Sequence, residues 1–330
     1  MSTGASPADR DEARRLVSGL LALDAQTLLA EATLKHPDIK QSVEAKADSS
    51  EVPEVNVLNA RMHQTYKTGV TRNLSWRRQQ LSALLKMLRE GREALCGGLK
   101  KDLNRSSAEG YFLEINLVEQ GIQQCLDKLS EWTKPLCVGT NLVNFPGSSS
   151  IRSDPLGVVL ILGCWNYPIQ LSLLPLAGAI AAGNSVVLKM PTDVVPHSSE
   201  AVVKLATKYL DQKAIHVMGG GIRENQALLK QRWDKIFFTG SEFVGKIVYQ
   251  AAAKHLCPVT LELGGKCPTI ITPSSNIYVA AKRIAWGKWM NAGQTCVAPD
   301  HVFVHESIAD PFLEVLKNTV EEFYGKNPKE

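Results

Sequence analysis

The 330-residue chain has seven cysteines but no Cys-x-x-Cys pair, and Cys96, Cys125, Cys137, Cys164, Cys257, Cys267 and Cys296 follow no regular spacing. An odd, irregular set does not make a disulfide framework, and the first residues carry no secretory signal. Asp11 and Glu12 come too early for a mitochondrial transit peptide. These absences make the cytoplasm, with reduced thiols, the expected compartment. Net charge is small as well: 37 basic against 33 acidic residues leave +4, and no single-sign run is long enough to be an interaction tail. Nucleic-acid binding proteins concentrate positive charge on one face, so nucleic acid is not an expected partner. What is present is 44% hydrophobic and 21% charged residues, the mix of a globular protein with a sizeable core. That excludes collagen-like, coiled-coil and largely disordered chains.

Charge is missing altogether from Pro155 to Leu188, 34 residues with no histidine either, enough for a membrane span. Asn166-Tyr167-Pro168, Pro175 and the turn Gly183-Asn184 interrupt it. A strand, a loop, a buried helix and a second strand account for those breaks better than one spanning helix. Strands covered on both faces lose their polar alternation. No membrane segment is expected.

Residues 1–55 read as a helical or disordered extension, with apolar residues at helical spacing over 9–34 and a polar linker over 36–53. From 57 to 133 the spacing predicts helices, with Trp76, Leu81, Leu84, Leu85 and Leu88 on one face and Leu113, Leu117, Ile122, Leu126 and Leu129 as a second set. Turn formers and short alternating pieces such as Leu142-Val143-Asn144-Phe145 predict an extended ribbon over about 135–154. Apolar runs then predict strands over 158–162, 185–188, 214–218, 235–239 and 259–263, separated by helices over 169–182, 199–210, 224–231 and 241–256. This alternation implies a parallel sheet with helices on its faces, an α/β fold whose ligands bind beyond the carboxyl ends of the strands. After Gly265 it weakens to a helix over 278–290, a loop over 291–299, a strand over 301–304 and a helix over 311–324. The expected division is an extension over 1–55, a sheet domain over 56–262 that includes the ribbon, and a partial second domain over 263–330.

Five segments fall where such a sheet would place its chemistry. They are Gly-Cys-Trp-Asn-Tyr-Pro over 163–168, Leu188-Lys189, Phe-Thr-Gly-Ser-Glu-Phe-Val-Gly-Lys over 238–246, Leu-Glu-Leu-Gly-Gly-Lys over 261–266, and Asn-Ala-Gly-Gln-Thr-Cys-Val-Ala-Pro-Asp over 291–300. In this order and spacing they resemble the aldehyde dehydrogenase superfamily. The tracts over 251–266 and 283–290 are similar to its class 3, fatty-aldehyde branch. The resemblance covers about Leu58 to Lys326. It implies a Rossmann-like cofactor domain, an incomplete α/β catalytic domain, NAD or NADP as cofactor, and an aldehyde as substrate. It also implies a homo-oligomer, a dimer in the full-length family, paired through the ribbon.

The residue types suit the implied chemistry. An aldehyde must become a tetrahedral adduct before it can lose hydride, and a cysteine thiolate is both nucleophile and leaving group. The resemblance gives that role to Cys296 and the oxyanion to Asn166 with the backbone N–H of Cys296. Glu262, between Leu261 and Leu263, would be the base that directs water at the thioester, provided its strand buries it. The dinucleotide loop would be Gly240, Ser241, Glu242, Phe243, Val244 and Gly245, at the amino end of a helix. Trp165 and Lys189 would also contact the cofactor, Lys189 at the adenosine ribose; without the resemblance Lys189 reads as a solvated strand-end lysine. Gly240 to Lys246 fits a nucleoside triphosphate loop as well, but Ile247 stands where that loop needs Ser or Thr. His301 and His305 are too far apart along an extended strand to share a metal, and no metal site is expected.

Three departures from the family pattern matter. Lys189 is followed by Met190-Pro191-Thr192-Asp193 where Pro-Ser-Glu is usual, so Thr192, or Asp193 after a one-residue slip, replaces the acid that holds the ribose. The shorter side chain is expected to let NADP bind beside NAD. Glu242-Phe243 stands where Thr-Gly is common in class 3, which predicts weaker cofactor binding. Family members also continue well past residue 330, so a carboxyl-terminally truncated chain is expected. The expected function is NAD(P)-dependent oxidation of a fatty or aromatic aldehyde to the acid through a thiohemiacetal and a thioester. The alternative is a catalytically silent chain that binds dinucleotide and pairs with a full-length homologue.

Overall fold

The structure, a computed structural model, describes residues 53–327. The readings of a helix over 9–34 and a linker over 36–53 fall almost wholly outside the described residues. The chain divides into two compact units, one ending at Leu263 and the other starting at Gly264.

The first unit opens with helices α1 (Pro53–Lys67), α2 (Leu74–Glu90) and α3 (Arg92–Leu103). A short α4 (Ser107–Gly110) leads through one π turn (Tyr111–Ile115) into α5 (Asn116–Trp132). Trp76, Leu81, Leu84, Leu85 and Leu88 all point inward, as their spacing predicts. The second set holds at Ile122 and Leu129 only. The buried stripe is Ile115, Val118, Ile122, Cys125 and Leu129, whereas Leu117 is 40% exposed and Leu126 only packs at the margin. The π turn adds a residue to its turn, so the phase read from Leu113 does not carry into α5.

Strands β1 (Leu136–Val138) and β2 (Ser149–Ile151) pair antiparallel as a short ribbon. The segment expected to extend it, Leu142 to Asn144, is instead a 3-10 turn, whose start is capped by the Asn141 side chain accepting from Val143 N–H. Helix α6 (Gln170–Ala181) follows β3 (Val158–Leu162), and α7 (Pro196–Tyr209) follows β4 (Ser185–Pro191). Then come β5 (Ile215–Gly220), α8 (Ile222–Leu229), β6 (Lys235–Thr239), α9 (Glu242–Ala253) and β7 (Val259–Glu262). The five strands β3 to β7 form one parallel sheet in the order β5-β4-β3-β6-β7. The chain moves outward from β3 through β4 to β5, then returns to the other side of β3, so the order reverses between β3 and β6.

Every residue of β3 and β4 is buried. Because side chains alternate along a strand, Val159, Ile161, Val186, Leu188 and Met190 pack with residues of α2, α3, α5, α6 and α7. Val158, Leu160, Leu162 and Val187 pack with residues of α1, α8 and α9. The uncharged stretch from Pro155 to Leu188 thus folds as a strand, a loop, a helix and the start of a second strand, with both strands in the sheet core. Among the described residues no helix is long and apolar enough to cross a membrane.

The second unit has a parallel pair, β8 (Pro268–Ile271) with β9 (His301–Val304), and helices α10 (Ile277–Trp289) and α11 (Ala309–Tyr324). Ile271, Ala281, Ile284, Ala285, Phe312 and Leu316 form its core. β8 has no counterpart in the sequence-based expectation: four residues after a Gly-Gly-Lys turn carry too little pattern.

A buried arginine ties the first unit together. From α2, Arg77 donates to the carbonyls of Thr71, Ala181 and Arg72 at 3.0, 3.1 and 3.1 Å. Gly183, after α6, has φ of +88°, and a Cβ there would lie 2.3 Å from the guanidinium, so the site requires glycine on two counts. Arg77→Met leaves three carbonyls without this donor and is expected to cost roughly 3 kcal/mol, read as a lower urea midpoint.

Candidate active site

Four loops and one strand end leave the carboxyl edge of the sheet, and the ends of β3, β4, β6 and β7 carry the expected residues. The loop after β3 holds Gly163 to Pro168. Gly163 donates its N–H to the Lys189 carbonyl at 3.0 Å, and a Cβ at Gly163 would stand 2.4 Å from Ser172 Oγ. This close approach lets the chain turn straight from β3 toward α6. Cys164 is buried and its Sγ donates to Asn166 Oδ1 at 3.0 Å. Trp165 and Asn166 are half-buried, and Tyr167 is buried.

Two charged residues hold this loop from below. Arg105 and Glu114 are both buried and form an ion pair. The other Glu114 oxygen accepts from the N–H groups of Ile169 and Gln170 at 2.7 and 2.9 Å, so it caps α6, whose own N-cap residue supplies no side-chain cap. Arg105 also donates to the Asn166 carbonyl and lies 4.7 Å over the Tyr167 ring. Burial pushes the Glu114 carboxyl up to about 7, while Arg105 and the two N–H groups pull it the other way.

Lys189 is not the solvated strand-end residue its position implied. Strand β4 runs two residues beyond it, and Lys189 is 3% exposed on the face it shares with Val187. Burial lowers its ammonium pKa, opposed by the Asp193 and Glu224 carboxylates. Both side chains in question as ribose partners reach the end of β5. A Cβ on Gly219 would meet Thr192 Cγ2 at 2.8 Å, and one on Gly221 would meet Asp193 Oδ2 at 3.3 Å.

The loop from Gly240 to Gly245 joins β6 to α9 beside the reversal of strand order. Ser241 caps the helix, accepting from Val244 N–H at 3.3 Å. Its glycines are set by packing: a Cβ on Gly240 would lie 2.5 Å from the Phe238 ring, and one on Gly245 2.9 Å from Leu263 Cδ2. The first turn of a 12-residue helix thus faces the strand ends with its N–H groups, which suits an anionic group. Glu242 is exposed and pairs with Lys246 at 2.7 Å, and Phe243 is 72% exposed.

Glu262 ends β7, and here the structure corrects the expectation of burial: the side chain is exposed. β7 is the edge strand of the sheet, with a neighbour on one side only, so its last residue is not enclosed as those of β3 and β4 are. The Glu262 carbonyl accepts from Gly240 N–H at 3.0 Å, which fixes it beside the start of the Gly240–Gly245 loop.

Cys296 belongs to the second unit and is exposed. Its loop is tightly held. Asn291 and Ala292 both have φ of +54° and Gly293 +78°, a left-handed run costly at the two non-glycine positions. Asn291 and Gln294 exchange side-chain donors with each other's carbonyls at 3.1 Å. Cys267 Sγ donates to the Cys296 carbonyl at 3.0 Å, and a Cβ on Gly265 would lie 2.9 Å from that oxygen. Asn166, Lys189, the Gly240–Gly245 loop and Glu262 therefore share one sheet edge in the first unit, and Cys296 sits on a hydrogen-bonded loop of the second. Among the described residues no group of three or more His, Cys, Asp and Glu could hold a metal ion.

Compared with known proteins, the chain belongs to the aldehyde dehydrogenase family, whose pattern matches residues 30–330. Its curated relatives include members of family 3. It is 43% identical to the dimeric, NADP-preferring aldehyde dehydrogenase of Rattus norvegicus, over 82% of this chain and 59% of that protein. It is 44% identical to the 4,4'-diaponeurosporen-aldehyde dehydrogenase of Staphylococcus aureus, over 79% and 57%. The solved substrate-bound Staphylococcus aureus AldH superposes with a TM-score of 0.80 at 42% identity, covering 82% of this chain and 59% of that one. The chain thus spans somewhat over half the length of these relatives.

Sequence reasoning singled out neither Arg105 nor Glu114, nor gave Cys164 a role. The usable signal was Glu114 itself, a carboxylate between Leu113 and Ile115 in an otherwise apolar helical run, since a buried charge needs a partner. Glu114→Ala removes the α6 cap and strands a buried guanidinium. It is expected to lower stability by roughly 3–5 kcal/mol, measured by denaturant unfolding.

Proposed function

We propose that this chain carries the machinery for NAD(P)-dependent oxidation of an apolar aldehyde, fatty or aromatic, to the carboxylic acid. The observation that supports it most is the gathering of Asn166, Lys189, the Gly240–Gly245 loop and Glu262 at the carboxyl edge of one sheet, in a chain of the aldehyde dehydrogenase family. The 4,4'-diaponeurosporen-aldehyde relative, named for a polyene aldehyde, supports the apolar substrate.

The roles follow from residue chemistry. The Cys296 thiolate attacks the aldehyde carbon, giving a thiohemiacetal whose oxyanion the Asn166 amide and the Cys296 N–H receive. When bound, an oxidised nicotinamide supplies the hydride acceptor that takes the adduct to a thioester. Glu262 then takes a proton from water as its oxygen attacks the thioester carbon, and the thiolate leaves. The first turn of α9 fits the pyrophosphate, with Gly240, Ser241, Glu242, Phe243, Val244 and Gly245 lining it and Trp165 beside it. Lys189, buried and flanked by the carboxylate of Asp193, fits the adenosine ribose. Neither Thr192 nor Asp193 reaches as far as a glutamate, so both NAD and NADP are accepted; the rat relative is named for its NADP preference.

A second reading has its own observation. The ribbon exposes Leu136, Leu142, Val143, Phe145 and Ile151, an apolar surface that suits pairing with another copy or a longer homologue. A chain that binds dinucleotide and pairs in this way without turnover is the alternative.

One experiment separates the two. The purified chain is given a medium-chain aldehyde with NAD⁺ or NADP⁺ beside a Cys296→Ala control, and reduced cofactor is followed. Formation that vanishes in the control is expected; dinucleotide binding with no turnover selects the alternative. Because exposed Phe243 stands at the pyrophosphate end of α9, Phe243→Gly is expected to tighten dinucleotide binding about fivefold, roughly 1 kcal/mol, by titration.

A further inference from the structure

A buried ion pair is poor value as a stabiliser, since desolvating two charges offsets most of their attraction, and its best attested use is to fix one arrangement over others. Arg105 and Glu114 are 3% and 0% exposed, and what they fix is specific. Glu114 holds the N–H groups of Ile169 and Gln170, just after the Asn-Tyr-Pro turn. Arg105 holds the carbonyl of Asn166 and lies against the ring of Tyr167. The Cys164 thiol donates to Asn166 Oδ1 at 3.0 Å. The main chain of Asn166 is thus pinned by a guanidinium, and its side-chain oxygen is turned toward Cys164. The amide's Nδ2, the end able to donate to an oxyanion, is then directed away from Cys164.

We propose that Arg105 and Cys164 are positioning residues for Asn166, Arg105 setting the backbone of the turn with Glu114 behind it and Cys164 setting the orientation of the amide. The proposal rests on the oxyanion role given to Asn166 above. A planar fork is needed because one side chain must serve the Glu114 carboxylate and the Asn166 carbonyl together. Lysine keeps the charge but has no fork of fixed geometry.

The test is a double-mutant cycle on cysteine acylation, which requires an oxyanion donor and no dinucleotide. The chain is mixed with p-nitrophenyl acetate; the Cys296 sulfur bonds the ester carbonyl carbon and p-nitrophenolate leaves with the C–O electron pair. The first-order burst rate and the half-saturating ester concentration are read for wild type, Asn166→Ala, Arg105→Lys, Cys164→Ala and the two doubles with Asn166→Ala. Asn166→Ala is expected to slow the burst about 100-fold or more. Arg105→Lys is expected to slow it about 10-fold to 100-fold and Cys164→Ala severalfold, with half-saturation within twofold of wild type. In the Asn166→Ala background neither substitution has a further effect, the non-additivity of groups that act through one another. If the single and double effects simply multiply, or if half-saturation rises while the rate holds, the positioning role is overturned. A wild-type chain with no burst, or an Asn166→Ala chain at full rate, overturns the oxyanion assignment and the proposal with it. Should Arg105→Lys fail to fold, judged by its thermal transition, the Cys164→Ala cycle alone decides: full additivity there overturns the proposal.

Discussion

Strands β3 and β4 must be covered on both faces, and most of the first unit is arranged to meet that constraint. Hydrophobic burial of this kind has no direction of its own, so direction comes from the alternation of side chains along each strand. Odd-numbered β3 residues look to one helical layer and even-numbered ones to the other. The same alternation puts Lys189 on the face of Val187, where it is buried. The sheet edge that carries the proposed chemistry is therefore set by a packing requirement that has nothing to do with chemistry.

Ionisable groups inside this apolar frame are few, and two of them hold the two ends of one helix. Arg77 gathers carbonyls at the turn before α2 and at the end of α6. Glu114 gathers N–H groups at the start of α6. Helix α6 is thus met by a cation at its carboxyl end and an anion at its amino end, the signs its dipole favours. Side chains far away in sequence do what a local cap does in most helices.

That distance explains what could and could not be read from the sequence. The runs that became β3 and β6 were legible to the residue, because a strand between two layers is a block of apolar side chains with sharp ends. β4 extends past its legible end because Lys189 is charged and Pro191 cyclic, and yet both are enclosed. The Asn166 loop, the Gly240–Gly245 loop, Glu262 and Cys296 were legible as motifs, but their surroundings were not. Exposure of Glu262 follows from β7 being the edge strand, a fact of strand order that no local pattern encodes. The π turn before α5 shifts the helical phase, so Leu117 looked inward on paper and outward in the fold. Glu114 stood out in its apolar run, but the partners were out of reach, the Asn166 carbonyl lying 61 positions from Arg105 and the Ile169 N–H 55 from Glu114.

The central place of β3 has a consequence for how the chain comes off the ribosome. One edge of β3 pairs with β4 soon after synthesis, but the other edge belongs to β6, which is made only after β4, α7, β5 and α8. Until residues 235–239 have emerged, a strand of five apolar residues keeps one row of backbone groups unpaired. Pairings this distant in sequence form late, and nascent chains in that state are the ones that aggregate. The order of strands in the sheet thus leaves the central strand with an open edge over the whole interval between β4 and β6.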